Sequence, residues 1–284
     1  MSGLCDLHTH SIFSDGLDSP TKIVLKAKEL GLKAVALTDH NIISGLEEFQ
    51  KASIDNGVEG ILGVEFSANY YSTEVHILAL FIKEKYFNDI NSILSQFDKL
   101  KDESNALLID NLSKIGFKLD YQEIKKSSLS GKVNRMQIAK AMLNKNYVKS
   151  TDEAFNDYLK KKRGLYIEPK RIDAFELISF IKSIGAISIL AHPFINLTLD
   201  EIIDFIKKGK DVGLNGIETE HSTYTNEQIE IAKSFANTFG LIKSGGSDYH
   251  GANKKDVLLG VGKGNLKIPY EYVEIMKRQL NIQK

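Results

Sequence analysis

Apolar residues recur along this chain in two rhythms. Short aliphatic runs at Gly3–Leu7, Lys33–Leu37, Gly60–Ser67, Glu74–Phe81, Ala186–Leu190, Gly216–Glu218 and Leu241–Ser244 predict about seven strands. Longer segments with helical spacing lie between several of them. Pro20–Leu30 puts Ile23, Ala27 and Leu30 on one face, with Ser19 placed to cap it, Pro20 at the first helical position and Gly31 ending it. Leu46–Asp55, Phe175–Ile184, Leu199–Lys208 and Thr225–Phe239 also read as helices. Alternation of strands and helices predicts a parallel α/β sheet, open or closed into a barrel. The strand count is one short of the eight-stranded barrel.

The rhythm breaks in the middle. From residue 87 to 167 the chain is dense in Lys, Asn, Asp and Ser, with helical spacing at Ile90, Ile93, Leu94 and Phe97. This stretch is expected to be an inserted helical subdomain or lid, leaving 1–86 and 168–284 as the barrel.

Composition narrows the class. With 284 residues and 42% apolar content, one large core suffices. Lys plus Arg and Asp plus Glu each number 37, so the balance advertises neither a nucleic-acid face nor a membrane face. The lone Cys5 excludes an internal disulfide framework and suits a reducing cytosol. The first residues do not read as a signal peptide, and no run of 18 apolar residues is present; a cytoplasmic protein without membrane spans is expected.

The histidines carry the chemistry. His8 and His10 are two apart in a strand-like stretch and share a face. Asp15 follows in a Ser14-Asp15-Gly16 turn. Asp39 and His40 come directly after one strand, Glu65 lies near the end of another, and His76 lies within a third. His192 stands in Ala191-His192-Pro193, and Asp248 and His250 in Gly246-Ser247-Asp248-Tyr249-His250, both just past strands. Any one of these residues alone would pass as a turn, cap or surface group. Together they gather at the strand ends where parallel barrels keep their active sites. Imidazole with carboxylate, and no cysteine pair, suits Zn, Mn or Fe.

These blocks resemble those of the PHP (polymerase and histidinol phosphatase) family over almost the whole chain, and most of all its bacterial nucleotide phosphatases. The resemblance implies a distorted seven-stranded TIM-like (β/α) barrel with an insertion where the lid is placed. It also implies three divalent cations. One would be held by His8, His10, Glu65 and Asp248, a second by Glu65, His76 and His192, and a third by Asp15, His40 and His250, with Asp39 orienting a ligand or water. Arg135, one of four arginines, is expected to grip the substrate phosphate; Gln137 stands two residues on, where relatives often have His. His221 and Tyr224 fall near a position where relatives place a phosphate-contacting His, and are expected to line the pocket.

The implied activity is hydrolysis of a small phosphorylated substrate: AMP or a 3′,5′-bisphosphate nucleotide. A 5′–3′ exonuclease on short RNA or DNA is the alternative, with Lys125, Lys126, Lys132, Lys160, Lys161, Lys162 and Arg163 as a basic wall. A histidinol-phosphatase-like enzyme shares the same metal logic. An inactive scaffold would have no physical need for nine ligand-type residues.

Overall fold

The computed structural model describes residues 3–127 and 133–282. The chain divides into two compact units, Met1–Asn91 with Ile172–Lys284, and Ser92–Arg171. Lys132 lies outside the described residues.

The first unit is built on one sheet whose order follows the sequence: β1 (Cys5–Asp6), β2 (Ala34–Leu37), β3 (Glu59–Tyr70), β4 (Thr73–Leu80), β5 (Ile187–Ala191), β6 (Gly216–His221) and β7 (Ile242–Gly246). Several helices start where the sequence supplies a cap. The Ser19 side chain accepts from Lys22 N ahead of α1 (Pro20–Glu29). The helix α2 (Leu46–Asn56) follows β2. Capping boxes Thr198/Glu201 and Thr225/Gln228 open the helices following β5 and β6. Gly240 ends the second of these at φ 62°, a conformation glycine adopts without steric cost.

The core fills the barrel. Cys5, Leu7, Ala34, Ala36, Ile61, Leu78, Leu80, Ile187, Ile189 and Ile242 form one buried cluster with Val273 and Met276 of the C-terminal helix (Glu271–Gln279). Every residue of β2 and β5 is buried, as strands covered on both faces require.

One expectation is corrected. The sheet is not all parallel: β4 runs antiparallel to both β3 and β5. Tyr70 and Thr73 end and begin the paired strands, so only two residues turn the chain between them. A connection that short permits only an antiparallel hairpin. Two strands are also longer than expected. β3 runs on to Tyr70, and β6 runs on to His221, which lies inside its strand rather than after it.

The barrel nearly closes where the first and last strands meet. Leu7 N donates to Gly245 O (3.1 Å), Asp248 N to His8 O (2.9 Å) and His10 N to Tyr249 O (2.9 Å). The buried Asp6 carboxylate pins this seam. It accepts from Ser247 N (2.9 Å), Ser247 Oγ (2.5 Å) and Gly260 N (2.8 Å). Burial pushes its carboxyl pKa up in spite of these bonds.

The second unit has its own core, in which Leu108, Leu112, Ile138, Ala139, Met142, Ala154 and Leu159 pack together. Its helices include Tyr121–Ser127 and Arg135–Asn144. Among the described residues no helix is long and apolar enough to cross a membrane.

The seam leaves no room at Gly246. A Cβ there would lie 2.2 Å from His8 Cβ and 2.6 Å from His8 N. Gly246→Ala must therefore part β1 from β7, and is expected to cost about 3 kcal/mol, the upper end of overpacking. Denaturant unfolding measures it, and a midpoint equal to wild type would refute the close approach.

Candidate metal centre

Each strand delivers its residue to one mouth of the barrel. His8 and His10 leave β1 in an extended stretch that Thr9 holds in a parallel bridge to Tyr249. His40 leaves β2 and bridges Glu65 in β3, with Asn41 N donating to Glu65 O (2.9 Å) and Glu65 N to Asp39 O (3.2 Å). Because β4 is reversed, His76 reaches the same mouth from near the start of its strand, paired with Ser67 and Ala191. His192 follows β5, and Asp248 and His250 follow β7.

Glu65 is the hub, fully buried. Its Oε2 lies 3.2 Å from His8 Nε2, 3.2 Å from His10 Nε2 and 3.0 Å from His40 Nδ1. Its Oε1 lies 2.7 Å from His76 Nδ1 and 2.9 Å from His192 Nε2. Asp248 Oδ1 is 3.2 Å from His10 Nε2 and 3.8 Å from His8 Nε2. Asp15 Oδ1 is 3.2 Å from His250 Nε2, and Asp15 Oδ2 is 3.9 Å from His40 Nε2. The structure thus brings together all nine residues singled out as ligands.

Among the described residues, three overlapping groups are tight enough to hold an ion. They are His10, Asp15, His40 and His250; His8, His10 and Glu65; and His40, Glu65 and His76, each with its ligand atoms within 4.8 Å of one another. His10 falls in two of them, so it can serve either neighbour.

Tautomers test whether cations fit. His8 Nδ1 lies 2.9 Å from Glu218 Oε1, a bond only an N–H can make. His8 Nε2 is then a lone pair facing the Glu65 carboxylate. His250 Nδ1 likewise donates to Asp248 O (2.8 Å), which leaves Nε2 facing Asp15. Acceptor against acceptor at such distances requires a positive charge between them, either a second proton or a cation. His8 Nε2, both His10 ring nitrogens and Glu65 Oε2 are buried with no hydrogen-bond partner. These are the atoms a metal would occupy, so the residue set fits divalent cations.

The electrostatics agree. Burial pushes the Glu65 carboxyl up, but His40, His8 and His76 outweigh it and hold it well below the usual carboxylate range. Burial would lower His76, but Glu65 overrides it and lifts the imidazole to about 10. Burial also raises Asp248, which His10 and His221 pull well below its usual value. His192 is lowered, chiefly by burial. Burial drives the Cys5 thiol well up, which removes it as a nucleophile.

Two of these residues stand on unusual backbone. His192 has φ 29° and Asp248 has φ 56°, outside the regions favoured by residues with a side chain. Such conformations persist where the surroundings enforce them, commonly at functional sites. His192 N donates to Glu218 Oε2 (2.7 Å), and the seam holds Asp248.

Asp39 bonds to the Ser11–Ser14 loop. Its carboxylate takes Ser11 N (2.7 Å), Ser11 Oγ (2.6 Å) and Ser14 Oγ (2.5 Å), so it secures the loop that carries Asp15. His221 is fully buried at the same mouth, and Tyr224 packs beside it with ring centroids 5.4 Å apart. Arg135 belongs to the second unit. Its guanidinium lies 4.2 Å over the Tyr166 ring, and Nη1 donates to Leu159 O (3.3 Å). Gln137 closes a capping box with Asn134, which gives this side chain a structural task at the helix start. Of the basic run, Lys125 pairs with Asp102, Lys161 with Glu168 and Arg163 with Asp157.

Glu218 and Asp6 escaped the sequence reading. Asp6 was within reach of it, since the period of two that groups His8 with His10 extends back to Asp6. Glu218 had a fainter signal, an acid inside a short apolar strand.

Known proteins resemble this chain. The PHP domain family matches residues 6–171. A 5′-3′ exoribonuclease of Haemophilus influenzae is 31% identical over 86% of this chain and 89% of its own. A 3′,5′-nucleoside bisphosphate phosphatase of Chromobacterium violaceum is 26% identical over 89% of this chain and 90% of its own. A crystal structure from Bifidobacterium adolescentis, assigned as a metal-dependent phosphoesterase, superposes with a TM-score of 0.75 at 27% identity, covering 97% of this chain and 96% of the other.

In the metal-free protein His76 keeps its proton well above its ordinary value of 6.5, up to about 10. A cation needs that lone pair free. Loading with Mn²⁺ at pH 7 is therefore expected to release protons, and cation affinity should climb with pH until it levels off near pH 10. Calorimetry in buffers of different ionisation enthalpy reads both effects. An affinity that falls with rising pH would contradict the assignment.

Proposed function

This chain belongs to the PHP domain family, and on that premise we propose that it hydrolyses a phosphate monoester of a nucleotide, AMP or a 3′,5′-bisphosphate, at a centre of divalent cations. The observation that carries this reading is the buried Glu65 carboxylate facing five imidazoles, His8, His10, His40, His76 and His192, at 2.7–3.2 Å. One cation is assigned to His8, His10, Glu65 and Asp248. A second would be held by Glu65, His76 and His192, and a third by Asp15, His40 and His250. Mn, Fe and Zn all suit these ligands.

Divalent cations bound there would bring the pKa of a coordinated water towards neutrality and neutralise phosphate oxygens. The chain's own residues prepare for this. Glu65 holds the imidazoles convergent. Glu218 fixes the proton of His8 on Nδ1, so Nε2 is presented to the cation. Asp39, through Ser11 and Ser14, keeps the Asp15 loop in place. Burial of His8, His10 and Glu65 excludes bulk water and strengthens the field at the phosphate. Arg135 remains the proposed phosphate grip, on guanidinium chemistry alone. Tyr224 is proposed to line the pocket.

A second reading has its own support. The Haemophilus influenzae relative at 31% identity acts on RNA from the 5′ end by its name. The same cations and ligands would serve a phosphodiester, with the 3′-oxygen of the terminal mononucleotide as leaving group and the phosphate kept on the shortened RNA.

One screen separates the readings. With Mn²⁺ present, 5′-AMP, 3′,5′-bisphosphate adenosine, histidinol phosphate and a short 5′-phosphorylated RNA are compared. Phosphate release fastest from a nucleotide is expected, whereas mononucleotide release from RNA would favour the second reading. His8→Ala and Asp248→Ala should each lose more activity than the ~10–100-fold typical of a lost outer partner, and bind less metal. Full turnover by a chelated, metal-free preparation would end the proposal.

A further inference from the structure

The strand β6 carries a bulge. Glu218 pairs with Ser244 and Glu220 with Gly245, so Thr219 is an extra residue with no partner position on β7. In a regular strand Glu218 and Glu220 would share a face and His221 would point away. The bulge changes this. Glu220 turns outward to Lys233 (3.1 Å) and Tyr272 Oη (3.1 Å), while Glu218 and His221 both reach the barrel mouth.

The two inward residues do matching work. Glu218 accepts from His8 Nδ1 and from His192 N. His221 is set the other way round from His8. Its Nδ1 receives the Thr223 backbone N–H at 3.3 Å and lies 2.8 Å from Thr223 Oγ1. A backbone N–H can only donate, so Nδ1 is an acceptor and the ring proton sits on Nε2. An Nε2–H cannot ligate a cation. It is buried and makes no hydrogen bond, and the nearest acceptor it faces is Asp248 Oδ2 at 3.4 Å, which a small turn of either side chain would bring into bonding range. Lys254 Nζ holds the same oxygen at 2.7 Å. Asp248 Oδ1 is thereby left to face His8, His10 and His250.

We infer that His221, the histidine outside the nine-residue ligand set, is a positioning residue. Its Nε2–H holds the outer oxygen of Asp248, so that only Oδ1 is offered to a cation. The β6 bulge exists to aim two outer partners, Glu218 and His221, at ligands on three different loops. This inference rests on the metal-centre reading above.

The test uses the full chain, metal-free and then titrated with Mn²⁺ while free Mn²⁺ is followed by electron paramagnetic resonance. His221→Leu is expected to weaken Mn²⁺ binding about 10–100-fold and to lower kcat with KM little changed. His221→Gln, which keeps an N–H near the Nε2 position, should restore affinity to within about threefold of wild type. Independently of any variant, ¹⁵N spectra of the metal-free wild type should show His221 protonated on Nε2. Unchanged Mn²⁺ affinity with a raised KM in His221→Leu would make His221 a phosphate contact and overturn the inference. So would an Nδ1–H tautomer. Failure of the wild type to bind Mn²⁺ at all would instead remove the metal-centre reading on which both stand.

Discussion

A carboxylate that faces five imidazoles inside a protein cannot be left alone with their lone pairs. Glu65 is in that position, and the interaction constrains the rest of the molecule. Desolvation would neutralise an isolated buried carboxyl, yet the surrounding rings hold this one ionised. Positive charge must therefore reside in the cavity at all times, as protons or as metal. The fold supplies the six strand ends and loops that converge on it. The hairpin reversal at β4, the seam between β1 and β7 and the β6 bulge can each be understood as a way to bring one more nitrogen or oxygen to that point.

Much of this was legible in the sequence, for identifiable reasons. Ser19 and Pro20 announce the start of the first helix by capping chemistry, and the helix begins there. His8 and His10 share a face because extended chain repeats every two residues, a relation independent of tertiary context. The strands β2, β5 and β7 end just before His40, His192 and Asp248, as the apolar runs imply. The order of the ligand-type residues is thus written in local pattern.

What was illegible depends on non-local or conformational facts. The β3–β4 hairpin turns at Tyr71, which takes φ 51° without being glycine or asparagine, so the usual turn signal is missing. Without it, alternating strands and helices suggest an all-parallel sheet. The bulge at Thr219 has no residue signature either; it is visible only in the pairing with β7. Glu218 and His221 were consequently read without their shared direction. Gln137 looked like a departure from a family pattern, and its role in closing a helix cap emerges only once the helix boundary is known. The sequence therefore exposes the ligands more readily than the groups that orient them, because ligands follow strand ends and their supports follow geometry.

The seam between the first and last strands has a consequence for biogenesis. Asp6 and Ser247 are 241 residues apart, and their contact closes the ring that the centre needs. Ordering that much intervening chain before any reward arrives is slow relative to local folding. On the ribosome, the nascent polypeptide carries His8, His10, His40 and Glu65 exposed to the cellular metal pool long before Asp248 emerges. Incomplete imidazole sets of this kind bind late first-row ions such as Cu²⁺ avidly. If the centre takes divalent cations, its selectivity would then depend on timing as well as affinity, since Asp248 and His250, just past the last strand, are made after the other ligand-type residues.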